Sequence, residues 1–150
     1  MIDFDSLLKG KTVVVGIGNP LREDDYIGCY IAENLKDTVV SFNVEVNPEV
    51  FIDDIVNENP DTIIIFDAAD FGGRPGEVRL IEEGNIDRFT LSSHTIPISF
   101  FIHLLKMKTS ADIYIIGIQP ESTGYREGLS GIVRKTGVDI LKRIKKSIKQ

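Results

Sequence analysis

Cysteine is almost missing from this sequence, long apolar runs are missing altogether, and acidic residues outnumber basic ones. With Cys29 alone no internal disulfide can form, which fits a reducing compartment. Cys29 follows Gly28 inside an apolar helical pattern, so it reads as a buried, inert thiol and not as a nucleophile. No apolar stretch is long enough to span a bilayer, and Met1-Ile-Asp-Phe-Asp has neither the basic nor the apolar region of a secretory signal. A cytoplasmic location without membrane attachment is the expectation. The net charge of −6 argues against a nucleic-acid binder, which needs clustered cations on an accessible face. Lys142, Arg143, Lys145, Lys146 and Lys149 do crowd together, but at the end of a predicted helix, where cations complement the backbone dipole. No Ser-, Gln- or Pro-rich tract marks a disordered arm. Hydrophobic and charged shares of 42% and 27% are ordinary for a globular chain, so residues 1–150 are expected to fold as one domain.

What is present alternates between two periodicities. Thr12-Val-Val-Val-Gly-Ile-Gly is a short β-branched run ending in glycines, the pattern of a strand buried on both faces. Ile27, Ile31 and Leu35 then recur at four-residue spacing, with Gly28 and Ala32 on an adjoining row that lets a helix approach the sheet closely. Residues 39–46 read as a second strand, followed by a helix from Pro48 with proline in its tolerated first turn. Residues 61–67 repeat the buried-strand signature. The turn cluster Gly72-Gly-Arg-Pro-Gly leads to residues 77–82, whose polar and apolar alternation suits a half-exposed antiparallel edge strand. An apolar helix over 97–108, a buried strand over 112–119 and a long amphipathic helix over 129–148 complete the chain. The implied fold is a three-layer α/β sandwich: a mostly parallel twisted sheet of about five strands with helices on both faces. Its ligand site is expected beyond the carboxyl ends of the strands, where strand order reverses.

Gly16-Ile-Gly-Asn-Pro-Leu begins like a dinucleotide fingerprint, but Leu21 stands where the third glycine belongs, and Glu23, Asp24 and Asp25 follow. Carboxylates there would repel a pyrophosphate from the positive end of the helix. A Walker loop fails because no Gly-Lys-Ser/Thr follows. One of Asp24 and Asp25 is expected to cap the helix that begins after them; Asp25 is assigned the functional role. Asp67, at the end of its strand, reaches the same edge of the sheet. Asp70 reads as a turn former. His94 lies on a loop leading into the helix near Pro97, on that same edge, whereas His103 lies inside the helix and is assigned to its surface or to packing. Two carboxylates and an imidazole can bind a borderline divalent cation such as nickel or zinc, or act as acid and base about an attacked carbonyl. The spacing leaves both roles open. There is no His-Glu-x-x-His helix and no Gly-x-Ser-x-Gly elbow.

Gly16-Ile-Gly-Asn-Pro-Leu-Arg-Glu-Asp-Asp, Phe66-Asp-Ala-Ala-Asp, Ser93-His-Thr-Ile-Pro and Ile116-Gly-Ile-Gln-Pro, in that order, resemble the nickel-iron hydrogenase maturation endopeptidases over nearly the whole chain. The resemblance implies a small cytoplasmic α/β hydrolase that acts as a monomer. Such a protease removes a short C-terminal peptide from the hydrogenase large-subunit precursor after nickel insertion. On that resemblance Asp25, Asp67 and His94 are both the catalytic and the metal-contacting residues. Nickel would be carried by the substrate, and other divalent cations would be able to occupy the site in vitro. Asn19 and Gln119 would support, and Gly16 and Gly18 would serve the tight turn. Tyr26 departs from the family, which commonly has glycine after the acidic pair, and so bears on the shape of the loop. The alternatives from other classes are a nucleotide- or phosphate-binding module and a non-catalytic metalloprotein-binding protein of the same fold.

Overall fold

Alternation between two apolar faces builds the sheet. The computed structural model describes residues 2–91 and 94–148; Met1, Ser92, Ser93, Lys149 and Gln150, among them the last lysine of the basic cluster and the serine of the histidine motif, lie outside the described residues. Five strands, β1 (Thr12–Ile17), β2 (Val40–Glu45), β3 (Thr62–Ala68), β4 (Val78–Leu80) and β5 (Asp112–Ile118), form one sheet in the order β2-β1-β3-β5-β4. The first four neighbours in that row run parallel; β4 pairs antiparallel with β5, with Arg79 opposite Gly117, as the polar-apolar alternation there predicts. β1 and β3 are buried along their whole length.

Successive residues of these strands face opposite ways and feed separate cores. Val14, Ile64, Phe66 and Ile116 pack with the face covered by α1 (Phe4–Leu7), α2 (Ile27–Glu33) and α6 (Gly131–Ile148). Val13, Val15, Ile63, Ile65 and Ile115 pack with the face covered by α3 (Ile52–Asn57), α4 (Ile86–Phe89) and α5 (Ile98–Lys108). The row of small residues on α2 does what its spacing suggests. A Cβ on Gly28 would stand 2.3 Å from the carbonyl oxygens of both Ile17 and Phe66, so α2 lies directly on β1 and β3. Gly16 belongs to this contact, facing the Gly28 carbonyl from within β1; it does not form the turn that the sequence pattern assigns to it.

The short helices α1 and α4 have no signature in the apolar periodicity, and the acids Glu23–Tyr26 form a 3₁₀ turn leading into α2. No helix among the described residues is long and apolar enough to cross a membrane. The chain leaves β1 for β2 on one side and returns for β3 on the other, so strand order reverses between β1 and β3. The crevice beyond their carboxyl ends is therefore the place to look for chemistry.

Candidate active site

Asp25, Asp67 and His94 all arrive at that crevice. Asp67 is the penultimate residue of β3, and β3 is flanked by β1 and β5, which leaves its carboxylate dry: its side chain is 1% exposed. His94 stands on the loop before α5, with its side chain 5% exposed and its Nε2 3.8 Å from Asp67 Oδ2. The adjacent Thr95 N–H donates to the Val46 carbonyl at 3.2 Å, which ties this loop to the segment after β2. Asp25 is buried too, and its Oδ2 accepts from the Asn19 N–H at 3.1 Å across the turn after β1. That turn closes tightly because Gly18 has no side chain; a Cβ there would meet the Asp25 carbonyl at 1.9 Å.

The electrostatics favour the uncharged forms. Burial, and next the charge of Asp25, hold the Asp67 carboxyl well above the usual carboxylate range; the Ala68 N–H pulls the other way, yet neither Asp67 oxygen has a hydrogen-bond partner. Burial holds His94 below the ordinary histidine value, against the raising effects of Asp87 and Glu49. An ion pair would move both groups in the opposite directions, so at 3.8 Å the two are neighbours without being a salt bridge. Cys29 is buried beside them, its Sγ 3.5 Å from the Gly18 carbonyl, and burial together with the nearby carboxylates pushes its thiol up. That bears out the inert thiol expected of it.

Asp24 does not cap α2, and neither does Asp25: the residue at the helix start, Tyr26, follows a turn whose side chains make no capping bond. The acids form that turn themselves, and their buried carboxylates bond to other segments. Asp24 reaches across the fold, accepting from the N–H groups of Glu121, Ser122 and Ser130 at 2.7–3.1 Å and from the Ser130 hydroxyl at 2.8 Å. Glu23 adopts a left-handed φ of +43° and is held there by its N–H bond to the Arg126 carbonyl and by the Ser122 hydroxyl. The loop after β5 is thereby clamped against the acidic turn. Gln119 fixes the other wall: its Oε1 accepts from the N–H groups of Phe71 and Gly73, and its Nε2 donates to Asp70. Asp70 also accepts from the Gly72 N–H, the turn-forming role expected of it.

Tyr26 is half-buried. Its ring packs edge-on against Tyr30, centroids 6.5 Å apart, and its backbone at φ −78° has no need of glycine. His103 is exposed and stacks on Phe100, as its position inside the helix implied.

Among the described residues, no three His, Cys, Asp or Glu side chains are gathered closely enough to enclose a metal ion by themselves. What the crevice does offer is unmet bonding capacity. The buried side-chain atoms without a partner, among the described residues, are Thr12 Oγ1 and four others: both Asp67 oxygens, His94 Nε2 and Glu49 Oε2. Oxygen and imidazole nitrogen donors suit a borderline cation such as nickel. Sequence reasoning missed Glu49, which falls within the helix expected from Pro48 and carries no motif of its own.

A family model described as hydrogenase maturation protease matches residues 28–147, so Asp67 and His94 lie inside the match and Asp25 just ahead of it. The hydrogenase 3 maturation protease of Escherichia coli K12 is 31% identical over 118 residues, which cover 75% of each chain. A Methanocaldococcus jannaschii protein provisionally named a hydrogenase maturation protease is 34% identical over 124 residues, 74% of this chain and 73% of that one. The crystal structure of a nickel-iron hydrogenase maturation protease from Thermococcus kodakarensis superposes with a TM-score of 0.85 at 30% identity, covering 98% of this chain and 99% of that one.

Proposed function

The chain belongs to the hydrogenase maturation protease family, and from that premise we propose that it cuts a C-terminal peptide from the large-subunit precursor of a nickel-iron hydrogenase once nickel is in place, with Asp25, Asp67 and His94 contacting that nickel. It is a peptidase by kinship; the metal dependence and the residue roles are the reading offered here. One observation carries it. Asp67 and His94 put three buried, partnerless donor atoms into one crevice at the switch point of the sheet, a costly arrangement unless something arrives to satisfy them.

A substrate-borne cation does so. His94, held neutral by burial, already has a lone pair to give. Asp67, raised above the usual carboxylate range by burial and by Asp25, ionises more readily when the cation supplies compensating charge. The site would then discriminate between precursors, because without nickel nothing offsets the cost of a charged, buried Asp67. Hydrolysis adds water across one peptide bond, hydroxyl to the carbonyl carbon and proton to the departing amine. The bonds of Asp24 and Gln119 fix the loops around the crevice.

Incubation with a matched precursor, followed by mass spectrometry of the intact large subunit, tests the reading. A discrete loss of the C-terminal peptide is expected. An unchanged mass with a correctly matched, nickel-loaded precursor would contradict it.

A further inference from the structure

Glu49 Oε2 is a further buried side-chain atom without a partner among the described residues, and nothing in the metal-contacting reading uses it. It sits in the 3₁₀ turn Pro48–Phe51 that follows β2. Two bonds from Thr95, N–H at 3.2 Å and hydroxyl at 3.5 Å, both to the Val46 carbonyl, hold that segment against the His94 loop. The Glu49 carboxylate acts electrostatically on His94, in keeping with the tie between its segment and the His94 loop. Its Oε2 is buried and bonded to nothing, while the next residue, Val50, is 68% exposed. A buried acceptor beside an exposed apolar side chain is the profile of a strip that receives a peptide: the apolar group for contact, the oxygen for a donor.

We propose that Glu49 is a substrate-binding residue of the protease site, its Oε2 accepting an N–H from the precursor chain next to the nickel. The inference rests on the proposed processing reaction. A structural role is disfavoured because the oxygen holds nothing in place.

Direct binding of nickel-loaded precursor to Glu49→Ala and Glu49→Gln, measured by titration calorimetry beside the unmodified protein, tests this without relying on cleavage. Loss of a hydrogen bond to a charged acceptor is expected to weaken binding about tenfold or more in Glu49→Ala, with KM raised to match and kcat changed far less. Glu49→Gln, which keeps an acceptor oxygen without the charge, should fall between. Both variants should melt no lower than the parent and should bind free Ni²⁺ as it does. Equal precursor binding would overturn the proposal, as would a lowered melting temperature or a parallel loss of Ni²⁺ affinity, which would make Glu49 a structural group or a ligand instead. Repeating the titration with precursor whose basic side chains near the cut are replaced separates the donor's source: a persisting Glu49 effect means a main-chain N–H, a vanished one a basic side chain. A parent protein that binds precursor through Glu49 yet never cuts it would refute the processing reading and leave this one standing.

Discussion

Asp67→Asn should abolish processing while making the protein harder to unfold near neutral pH. Asparagine keeps the shape of the side chain but offers the cation a neutral amide, so processing should fall by at least about 100-fold, as expected for loss of a group directly on the metal. The stability gain follows from linkage. Asp67 is held well above the usual carboxylate range in the folded protein by burial and by Asp25. As pH rises through the ordinary value of 3.8 the unfolded chain ionises there ahead of the folded chain, so stability present at lower pH is lost until the folded group also ionises. Asparagine escapes that loss. Thermal scans should therefore show Asp67→Asn melting above the parent at pH 7, at about 2–4 °C per kcal/mol recovered for a chain of this size, with the advantage gone below the ordinary carboxylate range. A variant that melts at or below the parent at pH 7, or that keeps the same advantage at pH 3, would show that the fold does not raise the Asp67 carboxyl above its ordinary range. A site that destabilises its own fold in this way is what a group reserved for an incoming partner looks like.

The second large effect lies in the fold. Gly28→Ala places a methyl group 2.3 Å from two main-chain oxygens, of Ile17 and Phe66, neither of which can swing aside as a side chain would. Either α2 lifts from the sheet or both strands move, and Asp25 and Asp67 move with them. The cost should be about 4 kcal/mol or more, a large fraction of the total stability of an ordinary domain. Gly84→Ala is the control, since a Cβ there meets nothing within 4 Å. Denaturant unfolding of the two variants should separate them widely. Similar midpoints would mean that α2 does not rest on β1 and β3 as closely as the geometry says.

Local signals made much of this molecule legible in advance. β-branched runs announced β1 and β3, alternation announced the antiparallel edge strand, and Gly28 with Ala32 announced the close helix, because each of these depends on residues near one another in the chain. Asp67 was legible for the same reason: a strand of ordinary length has to deliver its last side chains to the carboxyl edge. The clamp was not. Asp24 finds its partners at Glu121, Ser122 and Ser130, separations of 97 to 106 residues that no periodicity encodes, so an acid just ahead of a helix reads as a cap when it is in fact a tie between loops. Glu49 was hidden differently. Its turn is ordinary, and the Thr95 bonds that tie the segment before it to the His94 loop span 49 residues. Family resemblance pointed to the three residues proposed to meet the metal; the unmet atoms of the crevice supply the physical reason why something should meet them.

The nickel dependence of cutting tests the account most directly. One batch of precursor, divided into nickel-loaded and nickel-free portions, is incubated with the protein, and the rate of loss of the C-terminal peptide is followed by mass spectrometry. The account predicts rapid loss from the loaded portion and no measurable loss from the other over the same time. Equal rates from both portions would contradict it, because Asp25, Asp67 and His94 would then be serving a reaction that does not consult the metal.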